Sequence, residues 1–278
     1  MDVRGKTVLI TGSTDGVGRR VAERLAAAGA TLLIHGRDAR RAASVKATIE
    51  VAGGSAAICL ADFASLDEVR GLADTVVRDH HRLDILVNNA GIGVGRPDTR
   101  RELSRDGHEL RFAVNYLSGF LLTHLLVQRL VASRGRIVNV SSIGQQPIDF
   151  ADVMLTRGYS GRRAYCQSKL AQIMFTFDLA RQLDGTGVTA NALHPATYMD
   201  TAMVRGDGIR PMSSVDEGAE AILHLATSPE LASKTGLYFD GLREARANPQ
   251  AYDADARARL RALSLALVGV EPLQRAQP

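Results

Sequence analysis

Tryptophan is absent from this 278-residue chain, aromatic residues make up only 5% of it, and there are just two cysteines. So few rings argue against a nucleic-acid surface, which needs a basic stripe interleaved with stacking side chains. Cys59 and Cys166 cannot build a disulfide framework and have no metal-ligand spacing, so no metal site and a reducing, cytoplasmic setting are expected. Long apolar runs are missing too. The most apolar stretch, Phe120 to Val131, is broken by Thr123, His124, Gln128 and Arg129 and falls short of the ~20 residues a bilayer span requires, so no membrane span is expected. The N-terminal residues show no signal-peptide pattern. Charge is nearly balanced, 34 Lys and Arg against 30 Asp and Glu, and the arginines are scattered over helical stretches, which reads as solvated faces rather than an electrostatic docking site.

What is present is ordinary globular composition, 45% hydrophobic and 23% charged, in a chain long enough for a sizeable core. Short β-branched runs recur at Thr7 to Thr11, Thr31 to Ile34, Ala56 to Leu60, Ile85 to Val87, Arg136 to Val140, Val188 to Leu193 and Leu237 to Phe239. Helical periodicity fills the gaps, over Val17 to Ala28, Ala39 to Val51, Leu66 to His80, Ser104 to Ser133, Arg163 to Gln182 and Asp216 to Ala226. Strands alternating with helices imply parallel pairing through right-handed crossovers. Unalternated apolar strands such as Val8-Leu9-Ile10 imply cover on both faces. Gly29 and Gly135 are placed to end helices in the left-handed conformation. No linker or repeat divides the chain, so one domain over residues 1–278 is expected. Two segments, Ile143 to Gly161 and Thr197 to Ser214, are too long for plain connections and are expected to shape a site. A helical tail at about 250–270 is read as a surface helix or a subunit contact.

The first strand runs into Thr11-Gly12-Ser13-Thr14-Asp15-Gly16-Val17-Gly18, and a helix follows. Glycines let the backbone turn tightly and approach a pyrophosphate, while the helix N-terminus offers free N–H donors and the positive end of a dipole. Alone, such a turn is a weak signal; its place between strand and helix near residue 10 favours a dinucleotide site. Where such folds carry an acidic residue for the ribose hydroxyls, Gly36 stands, followed by Arg37, whose guanidinium can fork onto a 2′-phosphate. NADP(H) is therefore expected over NAD(H). Asp62 with Phe63 closes the third strand and Asn88-Asn89-Ala90-Gly91 the fourth, at the carboxyl edge where ligands bind. Asp62 could equally cap a helix, and the asparagines a turn.

Tyr165 and Lys169, four apart in a helical stretch, share a face. A lysine cation ~4 Å from a phenol contributes about 4 kcal/mol at an effective dielectric of 20. That would bring the phenol from about 10 to near 7, where acid–base catalysis works best. By spacing alone the pair is a weak signal.

Taken in series, Thr11-Gly12-x-x-x-Gly16-x-Gly18, Asn88-Asn89-Ala90-Gly91, Asn115, Ser141-Ser142 and Tyr165-x-x-x-Lys169 carry more than any one of them. The chain resembles the short-chain dehydrogenase/reductase family over about residues 5 to 245. Ala164-Tyr165-Cys166-Gln167-Ser168-Lys169-Leu170-Ala171 and the long gap from Ser142 to Tyr165 look like its retinol-dehydrogenase-like branch. The resemblance implies an α/β, Rossmann-type, doubly wound fold, with a mostly seven-stranded parallel sheet and helices on both faces. It implies Tyr165 as acid/base, Lys169 as the group that lowers its pKa and holds the nicotinamide ribose, Ser142 as hydrogen-bond partner of the reacting oxygen, and Asn115 as holder of a relay water. Coenzyme contacts are expected from Gly12, Ser13, Thr14, Gly16, Val17, Gly18, Arg37, Asp62, Phe63, Asn89, Ala90, Gly91, Tyr165, Lys169, Pro195, Thr197 and Thr201. Ser141 and His194 are read as structural, and Cys166 as a packing residue pointing elsewhere. Ala196 departs from the family's usual Pro-Gly, and Asp15 stands where some NADP-preferring relatives carry a basic residue. Phe150, Met154, Leu155 and Tyr159, with the methionines of 197–214, are expected to form an apolar pocket, or the first four to pack the insertion onto its own scaffold.

The function expected is NADP(H)-dependent interconversion of a carbonyl and an alcohol on a hydrophobic small molecule. The alternative is a catalytically silent, NADP-binding regulatory or scaffold protein. Homodimers and homotetramers are frequent in the family, and no residue here fixes the assembly.

Overall fold

Apolar strands need cover on both faces, and the computed structural model, which describes residues 1–96 and 99–273, shows how they obtain it. Seven strands run parallel: β1 (Thr7–Ile10), β2 (Thr31–Gly36), β3 (Ser55–Leu60), β4 (Ile85–Asn88), β5 (Arg136–Val140), β6 (Thr189–His194) and β7 (Tyr238–Asp240). An eighth, β8 (Arg243–Ala245), pairs antiparallel with β7, giving the order β3-β2-β1-β4-β5-β6-β7-β8. The sheet is thus one strand larger than the sequence reading. Its signal was Asp240-Gly241, since Gly241 at φ 58 opens a two-residue hairpin turn.

Side chains alternate across this sheet. Val8 and Ile10 of β1 and Leu32 and Ile34 of β2 meet α1 (Gly16–Ala27), α2 (Ala39–Val51) and, farther along, the helix Val215–Thr227. Leu9, Leu33, Leu86 and Ile137 point the other way, toward α3 (Leu66–Asp79), α4 (Leu110–Ser133) and α5 (Gly161–Gln182). Helix α6 (Ala202–Gly206) lies in the Thr197 to Ser214 segment, α7 is Val215–Thr227, and α8 (Ala254–Val268) docks on α5. Its anchors are Arg261, which donates to Asp178 at 2.7 Å, and Ser264, 2.7 Å from the buried Tyr116 hydroxyl. The tail is a surface helix, packed on the fold through Ala256, Leu260, Ser264 and Val268.

Three local expectations need correction. α4 begins at Leu110, not Ser104, because Gly107 turns left-handed at φ 81 and Glu109 caps the helix by accepting from Phe112 N at 2.7 Å. At 24 residues it is long and apolar enough to reach across a bilayer, contrary to the interrupted-run argument. Its most apolar window is 78% buried against the sheet and neighbouring helices, as in a core helix. Finally, the left-handed residue after α4 is Arg134 (φ 47), not Gly135. Gly135 is demanded by proximity instead, since a Cβ there would sit 2.7 Å from Asp84 O. Gly29 is left-handed as expected, at φ 90.

Candidate active site

Every parallel strand points its carboxyl end at one edge, where a cleft of about 660 Å³ opens. Its floor is the glycine turn. The Thr11 hydroxyl accepts from Asn89 N and Ala90 N, both at 2.9 Å, and Asn89 Nδ2 donates to Thr11 O at 2.8 Å. The turns after β1 and β4 are therefore one hydrogen-bonded unit. Gly12 (φ 66) lies so close to Ala90 that a Cβ would come within 2.9 Å of its Cα. At Gly18, a Cβ would collide with Gly12 O and approach Asn89 Nδ2 to 2.5 Å. These glycines let the turns pack backbone against backbone, a cradle that any side chain would disrupt, and with Gly16 and Gly91 they line the cleft where a pyrophosphate can approach the backbone.

His35 is the part of this floor that sequence reasoning missed. Gly12 N donates to its Nδ1 at 3.0 Å, so that nitrogen is the unprotonated one. Burial pushes the ring down to about 4, keeping it a neutral acceptor. His35 tilts against Phe63, ring centroids 4.4 Å apart. Because Ser13 bonds the His35 backbone in both directions, its side chain is fully buried and does not line the cleft, contrary to expectation.

Arg37 lines the outer end of the cleft. Its side chain is 74% exposed, with Asp62 at 3.9 Å. Asp15 spends one carboxylate oxygen capping Gly16 N at 2.7 Å, and Arg41 Nη1 lies 3.5 Å from the other. A second guanidinium, unremarked in the sequence, therefore offsets the acid at the helix start. Asp62 tightens its own turn by accepting from Ala64 N, while Asp62 N is taken by Glu68.

At the inner end, α5 presents Tyr165 and Lys169 to the cleft, and Ser141 and Ser142 follow directly after β5. Ser141 donates to Lys169 O at 2.7 Å and is structural. The Ser142 hydroxyl accepts from Gly144 N at 3.1 Å, while its carbonyl accepts from Tyr238 of β7, also at 3.1 Å. Lys169 Nζ donates to Val140 O at 2.9 Å and to Gln172 Oε1 at 3.0 Å, and lies 5.8 Å from the Tyr165 ring centre. Neither acceptor is charged, so burial holds the ammonium down to about 7. Burial also pushes the Tyr165 phenol up to about 12, with the Ser142 hydroxyl opposing. The expected phenol near 7 is not what these groups produce by themselves. That arithmetic assumed an undiminished lysine charge and left out the cost of taking both groups from water.

Asn115 lies in a π turn, Ala113–Leu117, inside α4, a widening often found at functional sites. Its side chain accepts from Ile92 N at 2.7 Å and donates to Ile92 O and Ser168 Oγ. It is buried beside the site and does not line the cleft. Cys166, in contrast, does reach the cleft wall, contrary to the reading that it points away, and burial raises its thiol. His194 also lines the cleft, and its Nε2 is 3.1 Å from Thr197 Oγ1. The remaining expected contacts, Thr14, Gly16, Val17, Phe63, Ala90, Gly91, Pro195, Thr197 and Thr201, all line it, as does Ala196.

The insertion behaves differently from the pocket expectation. Phe150 sits under Arg259 at 4.5 Å, Tyr159 donates to Glu109, and Leu155 is buried, so these side chains fasten the insertion to its own scaffold. Apolar walls come instead from Ile92, Val114 and Ile143, and from Met203, Val204 and Ile209 of the second segment. Met212 is 73% exposed and contributes nothing to the cleft.

Comparison with known proteins agrees with this geometry. A family model described as short chain dehydrogenase matches residues 6–209. Human retinol dehydrogenase 13 is 38% identical over 99% of this chain and 88% of its own length, and human retinol dehydrogenase 14 is 36% identical over 96% and 88%. Among solved structures, a protein of Mycobacterium paratuberculosis is 32% identical with a TM-score of 0.82, covering 98% of both chains. A short chain dehydrogenase from Burkholderia cenocepacia, in complex with NADP, is 31% identical with a TM-score of 0.70, covering 86% of this chain and 97% of its own. With fold, motif order and full-length similarity in agreement, this chain belongs to the short-chain dehydrogenase/reductase family of oxidoreductases.

Proposed function

We propose that the protein is an NADP(H)-dependent oxidoreductase that interconverts a carbonyl and an alcohol on a hydrophobic small molecule. The observation that carries the reading is one continuous cleft, with Arg37 and the glycine cradle at one end and Ser142, Tyr165 and an apolar wall at the other. Gly36 puts no acid beside Arg37 to repel a 2′-phosphate, and Thr14 packs against it where a Cβ would stand; a short-chain dehydrogenase of this fold is known with NADP. Similarity to retinol dehydrogenases supports a lipophilic alcohol or aldehyde as substrate.

When bound, the nicotinamide supplies the hydride for reduction, or accepts it in oxidation. The chain's own groups handle the oxygen. Ser142 Oγ donates to the carbonyl oxygen and orients it, and the Tyr165 hydroxyl delivers the proton as the alkoxide forms. A phenol held up at about 12 stays protonated throughout the neutral range, which suits proton donation. Lys169 holds the ribose and, when charged, stabilises the phenolate left behind. Asn115 fixes the Ile92 backbone and Ser168 around this centre.

A panel of apolar aldehydes and ketones, followed by loss of NADPH absorbance, tests the assignment. Tyr165→Phe is expected to bind NADPH like the wild type and to lose at least about 10²-fold in turnover. Wild-type rates in that variant would refute its role. Tight NADPH binding without turnover on any carbonyl would favour a silent binder.

A further inference from the structure

The loop after β4 is gripped from two sides. Arg111, a buried guanidinium on α4, donates to Gly93 O at 2.8 Å and Val94 O at 3.2 Å, and is itself fixed by the Tyr159 hydroxyl at 2.8 Å. From the opposite side, Asp207 accepts from Val94 N and Gly95 N, both at 2.9 Å. The two side chains thus hold the same run of peptides by opposite ends of their dipoles. The fit is close enough that a Cβ on Gly93 would run into the Asp207 carboxylate, 2.8 Å from its Cγ. Charged partners make these hydrogen bonds roughly twice as strong as neutral ones.

Asp207 immediately follows α6, and the same short segment brings Met203, Val204 and Ile209 to the cleft. Other polar contacts of residues 202–212 stay within the segment, such as Arg205 with Asp200. Among the described residues, only Asp207 ties the stretch 198–213 by hydrogen bonds to residues outside it. We infer that Asp207 is a positioning residue: its clasp on Val94 and Gly95 holds Met203, Val204 and Ile209 as the outer wall of the substrate end. The inference about substrate rests on the proposed function; the clasp itself does not.

Hydrogen exchange on the substrate-free protein reads the clasp directly. Asp207→Ala is expected to speed exchange of the Val94 and Gly95 amides and of residues 202–209 by about tenfold or more. Gly93→Ala, which blocks the seat while leaving the carboxylate in place, should do the same, and Asp207→Asn, with one acceptor oxygen left, should fall between. Against an apolar aldehyde, Asp207→Ala should raise KM about tenfold while kcat changes less than about threefold, because the wall and not the reacting centre is loosened. Unchanged exchange in both Asp207→Ala and Gly93→Ala overturns the clasp. Faster exchange with KM unmoved overturns the positioning role. If the wild type turns over no carbonyl, the catalytic reading fails, and exchange still decides the clasp.

Discussion

Replacing Lys169 with methionine should change how the stability of the coenzyme-free protein depends on pH. Lysine titrates at 10.5 in water but at about 7 in this buried position. Between those values the unfolded chain binds more protons than the folded one, so stability rises as pH increases. At 1.36 kcal/mol for each pH unit the whole interval corresponds to about 5 kcal/mol. The portion between about pH 7 and pH 10 is about 3–4 kcal/mol, an upper bound because buried groups relax. Lys169→Met abolishes that rise, and it also strips Val140 O and Gln172 Oε1 of their donor, at about 1–3 kcal/mol. The two effects pull apart with pH. Near neutrality the variant should equal or exceed the wild type; near pH 10 it should be the less stable, so the curves cross. Tyr165 contributes in the opposite direction only above pH 10, where unfolded phenols ionise and the buried one, at about 12, does not. Denaturant melts of both proteins from about pH 7 to pH 10 at constant ionic strength supply the comparison. Parallel curves would show that the ammonium is not desolvated as its surroundings require, and the account of the site's electrostatics would fall.

Two further substitutions probe the coenzyme end. Arg37 is largely exposed and only 3.9 Å from Asp62, so Arg37→Ala should leave the melting temperature alone while weakening NADPH binding by about 10–100-fold. NADH affinity should not change; equal losses for both coenzymes, measured by fluorescence titration, would mean that the 2′-phosphate is not read there. Gly18→Ala places a methyl against the Gly12 carbonyl and 2.5 Å from Asn89 Nδ2, where the turn's backbone has to yield. It should cost about 1–3 kcal/mol of stability and more than about tenfold in NADPH affinity; an unaltered titration would show that the cradle is looser than described.

The sequence discloses those features whose causes are local. A glycine that must turn left-handed at position 12, an apolar run such as Leu32 to Ile34, and the placement of Tyr165 and Lys169 on one helix face all follow from neighbours a few residues away. Long-range pairing is what stays hidden. Nothing near His35 announces that its ring will accept Gly12 N, and nothing near Asp207 points to Val94. The phenol's titration was misjudged for the same reason, since burial belongs to the assembled sheet and helices and not to the four-residue spacing. The insertion was legible only as a choice. By composition Phe150, Leu155 and Tyr159 suit either a pocket or the insertion's own scaffold, and the assembled fold decides for the scaffold, with Arg259 and Glu109 as anchors.

The Tyr238 hydroxyl on the Ser142 carbonyl links the last parallel strand to the reacting centre. Asn248 N on Gln145 Oε1 and the Gln250 side chain on Ile148 continue that link along the same stretch. The scaffolding of Ser142 is therefore supplied in part from residues 238–250, about a hundred positions farther along the chain. A substitution at Tyr238, Asn248 or Gln250 would therefore be felt at Ser142 with every residue of the chemical core left as it was.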